Sequence, residues 1–239
     1  WQLRGENCRK SVLSALEMGY RHLDTAEYYR NEKEVGQAVQ DAGVDRDNLF
    51  LTSKVWSNHF QKAAVQQACE DSLKRLRVDY LDLYLIHYFS NAVPLEETLA
   101  GMQALVDQGK TRFIGVSNFS VSQLDRSREL TEAPIFTNQV EYHPFRPQDS
   151  LLDYCQEHEV LLTAYSPLDR GRVLRDATLR KIGERYGKSA AQITLRWLVQ
   201  QERVIAIPKA ASRRHQRANL EVFDFQLTPE EIKLIQGLG

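Results

Sequence analysis

Leu81-Asp82-Leu83-Tyr84-Leu85-Ile86-His87 reads as a strand without clean polar alternation, the pattern of a parallel strand covered on both faces, and it ends on an ionisable side chain. The same ending recurs in both directions along the chain. His22-Leu23-Asp24 and Leu49-Phe50-Leu51-Thr52-Ser53-Lys54 precede it. Arg112 to Val116 gives way to Ser117 and Asn118, Ile135 to Val140 to Glu141 and Tyr142, Val160 to Ala164 to Tyr165 and Ser166, and Val204 to Pro208 to Lys209. Between these runs the apolar residues fall at helical spacing, as in Val12, Leu13, Ala15 and Leu16, or Val65, Ala68, Cys69, Leu73 and Leu76. Ser189 with Gln192, and Thr228-Pro229 with Glu231, are helix-opening capping boxes. The alternation predicts an α/β fold whose chemistry collects at the carboxyl edge of one parallel sheet, where barrel and doubly wound enzymes place their sites. Seven strands are predicted, and a closed (β/α)8 barrel needs one more. Either a first strand lies upstream of Trp1 or the sheet is open.

The 239 residues suit a single domain spanning 1–239, since a (β/α)8 barrel takes about 250. A hydrophobic fraction of 42% and a charged fraction of 26% belong to an ordinary globular protein with a sizeable core. The net charge of -1, without a basic stripe, argues against nucleic acid or an anionic membrane as partner, because counterion release needs a basic surface. Cys8, Cys69 and Cys155 are odd in number and widely spaced, so neither a disulfide framework nor a metal site is expected, and a reducing, cytoplasmic setting is. No apolar run approaches the roughly 20 residues of a membrane span.

Asp24 and Tyr29 stand five residues apart across a strand-to-helix loop, and Lys54 and His87 end the next two strands. A phenol can protonate a carbonyl oxygen, but its ordinary pKa of about 10 makes it a poor donor at neutral pH. Lys54 would stabilise the phenolate, Asp24 would hold the lysine charged, and His87 could donate a hydrogen bond to the substrate oxygen. On spacing alone, a structural ion pair with bystanders is the commoner meaning of such residues.

The wording of the sequence goes further. Gly19-Tyr20-Arg21-His22-Leu23-Asp24-Thr25-Ala26-Glu27-Tyr28-Tyr29-Arg30-Asn31-Glu32 resembles the aldo-keto reductase signature. Leu51 to Trp56, Asp82 to His87, Gly115-Val116-Ser117-Asn118-Phe119 and Ile207-Pro208-Lys209 follow in that family's order. The resemblance implies a (β/α)8 TIM barrel with its first strand missing from this chain, and an additional amino-terminal strand in the natural protein. It implies Asp24, Tyr29, Lys54 and His87 as catalytic tetrad, and NADP(H) bound without a Rossmann domain, consistent with the lack of an internal G-x-G-x-x-G. Ser117, Asn118 and Gln139 look like ligands of the nicotinamide carboxamide, and Tyr165, followed by Ser166, like the ring stacked on the nicotinamide.

Lys209, Arg213, Arg214, His215 and Arg217 crowd the start of a helix that Ser212 would cap, a phosphate site by its chemistry and a solvated helix end by the blander reading. In the family this region holds the adenosine 2'-phosphate, and Asn219 looks like the adenine contact. Ala210 stands where the family often has serine and His215 where it often has arginine, which leaves NAD(H) open beside NADP(H). Trp1 and Trp56 resemble lining residues of the carbonyl pocket, with Tyr88-Phe89 in place of the more frequent Trp-Pro. Short loops suggest an open pocket for small aldehydes, ketoaldehydes or sugar-derived dicarbonyls, as in the bacterial diketogluconate and methylglyoxal reductase branch.

The expectation is therefore a metal-independent, monomeric carbonyl reductase. The alternatives are a nucleotide-sensing subunit of the same fold with little turnover, or an unrelated barrel lyase or isomerase. His22 reads as a packed barrel residue, His59 and His143 as loop residues, Cys69 and Cys155 as inert core thiols, and Glu141 as a carboxylate with no required role.

Overall fold

The computed structural model describes all 239 residues. The chain divides into two compact units, Trp1–Asn138 and Gln139–Gly239, with the boundary inside the fifth strand. The first unit contains α1 (Gly5–Glu17), β1 (His22–Asp24), α2 (Glu32–Ala42), β2 (Phe50–Val55), α3 (Lys62–Leu76), β3 (Leu81–Ile86), α4 (Leu95–Asp107), β4 (Thr111–Ser117), α5 (Val121–Glu129) and the start of β5 (Ile135–Glu141). The second contains the end of β5, then α6 (Asp149–Glu157), β6 (Leu161–Tyr165), α7 (Ala177–Tyr186), α8 (Ala190–Val199), β7 (Val204–Ala206), α9 (Arg213–Leu220) and α10 (Pro229–Gln236). All seven predicted strands form and neighbour one another in sequence order, with β5 common to both units. Seven strands in this order, alternating with helices, are the repeat of a (β/α)8 fold. No helix is long and apolar enough to cross a membrane.

In the first unit β1 to β4 pair in parallel, with Asp24 opposite Thr52, Lys54 opposite Leu85, and Leu85 opposite Gly115. β3 is buried along its whole length, so the missing polar alternation has its expected cause, a sheet covered on both faces. The period of two places His22 and Asp24 on one face of β1, and Thr52 and Lys54 on one face of β2. Ser53 takes the other face, where its hydroxyl donates to Glu32 of α2 at 2.5 Å; Arg75 of α3 donates to the second oxygen of Glu32 at 2.7 Å. β2 thereby separates a helix-facing polar tie from the face that carries Lys54. Two glycines permit the close packing around it. A Cβ at Gly36 would lie 2.3 Å from the Leu76 carbonyl oxygen, and one at Gly115 would lie 2.7 Å from the Thr137 carbonyl oxygen and 2.8 Å from Leu85.

In the second unit β6 and β7 pair in parallel, with Leu162 opposite Val204. Both predicted capping boxes form, at the starts of α8 and α10, and such caps stabilise a helix by about 1 kcal/mol each. α7, a helix the sequence patterns above do not single out, ends at Gly187 in the left-handed region and starts at Asp176, whose carboxylate accepts the Leu179 N–H at 2.8 Å. Cys69 and Cys155 are fully buried in their respective units, and burial pushes both thiols up to about 12, as inert core thiols require.

Candidate active site

The four candidate catalytic residues all belong to the first unit, and each sits at the carboxyl end of a strand or just beyond it. Asp24 ends β1, Lys54 lies one residue before the end of β2, and His87 follows β3. Tyr29 ends a one-turn 3-10 helix, Glu27–Tyr29, in the loop between β1 and α2. Lys54 is completely buried, and its Nζ donates to Asp24 Oδ1 at 2.5 Å and to the Thr25 carbonyl oxygen at 2.8 Å. Two of its three N–H donors are thereby committed. Burial lowers the Lys54 pKa from its ordinary value, and the Asp24 charge and hydrogen bond oppose that shift, with the more distant Glu32 adding to them. The ammonium lies 5.0 Å from the centroid of the Tyr29 ring.

His87 completes the group. Its ring meets Tyr29 edge-on at 5.4 Å between centroids, and its Nδ1 is buried with no hydrogen-bond partner. Burial, reinforced by the Lys54 charge and opposed by Asp24, lowers its pKa to about 3. His87 is therefore a neutral imidazole at working pH, able to offer one N–H without adding a charge beside Lys54.

This protonation state gives a stability prediction. An unfolded histidine titrates near 6.5, so between about pH 6.5 and 3 the unfolded chain holds a proton that folded His87 does not. Above that window His87 contributes no pH dependence; within it stability falls with pH, approaching about 1.4 kcal/mol per pH unit mid-window. His22, whose pKa burial also lowers, acts in the same direction. Urea unfolding at pH 7, 6 and 5 should show the decline, and His87→Gln should reduce its slope.

Aromatic rings surround His87. Trp56 meets it edge-on at 5.1 Å, Tyr88 stacks on it at 5.3 Å, and Tyr28 stacks on Trp56 at 4.0 Å. Trp56 and Tyr88 thus both lie against the His87 ring, whereas Trp1 is 57% exposed and joins no ring contact. Tyr28 is the lining candidate that sequence reasoning missed. Glu27 is another omission: one of its oxygens accepts the Trp56 backbone N–H, and His59 Nδ1 lies 3.1 Å from the other. His59 is accordingly a tied loop residue, and the signal for Glu27 lay inside the signature segment between Asp24 and Tyr29. His22 packs edge-on against Phe50 and contacts the Thr52 hydroxyl at 3.1 Å, as a packed strand residue should.

At the end of β4 in the same unit, Ser117 is buried, and the Asn118 amide donates to Ser117 Oγ at 2.9 Å and to the His87 carbonyl oxygen at 3.2 Å. Asn118 adopts φ 61°, a left-handed geometry that asparagine tolerates better than most residues. Asn138 clamps this turn through both its amide atoms, donating to the Phe119 carbonyl oxygen at 2.8 Å and accepting from Phe119 N–H at 3.4 Å.

In the second unit Gln139 is buried, Tyr165 ends β6 half-buried, and Ser166 follows with φ 47°. Ser212 caps α9, its hydroxyl accepting the His215 N–H at 3.3 Å. Lys209, Arg213, Arg214 and His215 are exposed around this helix start, and Asn219 lies half-buried near its end. Three permanent cations beside a capped helix N-terminus form a donor set suited to phosphate, so the residues fit a phosphorylated nucleotide. His143, expected as a loop residue, is only 4% exposed.

A consecutive β/α repeat thus carries an Asp–Lys ion pair, a tyrosine and a neutral histidine at or beside its strand ends. The chain belongs to the aldo/keto reductase family, whose model matches residues 2–239. It is 41% identical over 235 residues to the glyoxal reductase of Bacillus subtilis (strain 168), covering 98% of this chain and 84% of that protein. A solved structure provisionally assigned as a 2,5-diketo-D-gluconic acid reductase B is 40% identical, with a TM-score of 0.98 over 99% of this chain and 84% of its own. The Bombyx mori aldo-keto reductase in complex with NADP is 36% identical, with a TM-score of 0.93 over 100% of this chain and 86% of its own.

Proposed function

We propose that this chain reduces small aldehydes, ketoaldehydes and sugar-derived dicarbonyls to alcohols with NADPH, with Tyr29 as general acid. The observation that carries the reading is the fully buried Lys54, its charge compensated by Asp24 and its ammonium 5.0 Å from the Tyr29 ring. A lone buried ion pair of this kind is costly to assemble, because desolvation consumes much of the attraction. Its position beneath a phenol supplies a use: the ammonium favours the phenolate left when Tyr29 gives up its proton. Asp24 keeps Lys54 charged and oriented, and neutral His87 donates a hydrogen bond that holds the substrate oxygen near the Tyr29 hydroxyl. The rings of Trp56, Tyr88 and Tyr28 exclude water from one side of the substrate.

Ser117, Asn118 and Gln139 would hold the nicotinamide carboxamide, Tyr165 the nicotinamide face, and Ser166 the adjoining part of the cofactor. Lys209, Ser212, Arg213, Arg214 and His215 would take the phosphate of the adenosine end, and Asn219 the adenine. Bound NADPH supplies the hydride for the carbonyl carbon. The family's NADP complex and the glyoxal reductase and diketogluconic acid reductase relatives support this choice of cofactor and substrates.

The test is multiple-turnover oxidation of NADPH with glyoxal, methylglyoxal and 2,5-diketo-D-gluconic acid, run beside NADH. Turnover with at least one dicarbonyl, at higher kcat/KM with NADPH, is the expected result. Tight NADPH binding without reduction of any of them would sink the reading.

A further inference from the structure

A second cluster of ionisable groups lies in the second unit, apart from the tetrad, and involves none of its members. Glu141 ends β5, His143 follows it, and Asp169 lies in the segment after β6. His143 Nε2 is 3.8 Å from Glu141 Oε1 and 3.8 Å from Asp169 Oδ1, too far to hydrogen-bond either. Its other nitrogen, Nδ1, is buried without a partner. A 4% exposed imidazole aimed at two carboxylates and hydrogen-bonded to nothing departs from the rule that buried polar groups are paired.

The carboxylates are not themselves loose. Glu141 Oε2 accepts from Arg146 at 2.8 Å and Asp169 Oδ2 lies 3.5 Å from Arg172, so each acid has one oxygen held by a guanidinium and the other turned toward His143. The scaffold is also fixed: Arg146 N–H donates to the His143 carbonyl oxygen at 2.9 Å, Gln148 to the Glu141 carbonyl oxygen at 2.9 Å, and the Arg172 guanidinium sits 4.2 Å over the Phe145 ring. One nitrogen and two oxygens converge within 4.8 Å of one another.

We propose that Glu141 Oε1, His143 Nε2 and Asp169 Oδ1 form a binding site for one divalent first-row cation, with water completing its coordination. A tetrahedral ion with bonds of about 2.1 Å sets its ligands roughly 3.4 Å apart, so the two 3.8 Å separations from His143 need to close by a few tenths of an ångström, and the two carboxylate oxygens, which lie within 4.8 Å of each other, by a side-chain rotation at most. One imidazole with two carboxylates favours Zn2+, Co2+ or Mn2+ over Ca2+ and Mg2+, which take oxygen ligands. The ion would tie the end of β5 to the segment that follows β6. It is independent of the reductase reading, and it reverses the sequence-based expectation of no metal.

The full chain, stripped with a chelator, is titrated with Co2+ and then Zn2+, following visible absorption and thermal unfolding. Expected are one Co2+ per chain with a visible d–d band, displacement by Zn2+, and a rise in unfolding temperature. Asp169→Asn and Glu141→Gln, at half-exposed positions that keep the fold, should each weaken binding by at least about tenfold. Two results overturn the proposal: no Co2+ bound, so that the three groups exchange protons only, or binding unchanged in both variants, which places the ion elsewhere.

Discussion

Tyr29→Phe is expected to lower kcat for dicarbonyl reduction by about 10²–10⁴-fold, the range general acid catalysis supplies, while leaving NADPH affinity within about twofold of the parent. The substitution removes one hydroxyl and retains the ring that faces Lys54 and His87. Unfolding free energy should therefore change by no more than about 1 kcal/mol. Steady-state kinetics with cofactor titration by fluorescence gives both numbers. Loss of kcat with unchanged cofactor binding identifies a group needed in the transition state, whereas an equal loss of both would make Tyr29 a binding or folding residue. A variant retaining more than about a tenth of parental kcat would remove Tyr29 from the role of acid.

Lys54→Met should have the larger combined effect, on activity and on stability. It strips the compensating charge from Asp24, whose side chain is 10% exposed, and breaking a buried pair from one side costs about 3–5 kcal/mol. The phenol also loses the neighbouring cation that favours its conjugate base, so turnover should fall by at least about 10²-fold. Adding Asp24→Asn to Lys54→Met separates the two consequences. The double variant should regain most of the lost stability, since no uncompensated charge remains, and none of the activity. Urea unfolding and kcat/KM on the three proteins make the comparison. Recovery of activity in the double variant would show that Lys54 serves folding alone.

Much of the fold was legible because its signals are local. A strand that ends on an ionisable residue and a capping box four residues long each act within about four residues, the reach of one backbone hydrogen-bond ring. Hence all seven strands and both predicted boxes recur in the structure, whereas α7, which carries no such box, is not singled out by these signals. The candidate tetrad rests on a different kind of signal. Spacing alone left Asp24, Lys54, His87 and Tyr29 as an ion pair with bystanders, and the resemblance of the surrounding segments singled them out as a set.

Contacts across large sequence separations could not be read in this manner. Glu27 reaches the backbone of Trp56 and the ring of His59, Glu32 ties Ser53 to Arg75, and His143 faces Asp169 from a different loop. Which residues meet depends on strand register and on how closely the helices approach, and a shift of one residue in register would turn Lys54 to the helix-facing side of β2. By itself, then, the order of residues determined the element pattern and the sheet edge where ionisable side chains gather, and it nominated Asp24, Tyr29, Lys54 and His87 as a candidate set. Only the tertiary structure decided that Lys54 is fully buried against Asp24, that His87 is held neutral, and that His143 is buried facing two carboxylates, because desolvation and charge pairing arise when distant segments close around a side chain and displace its water.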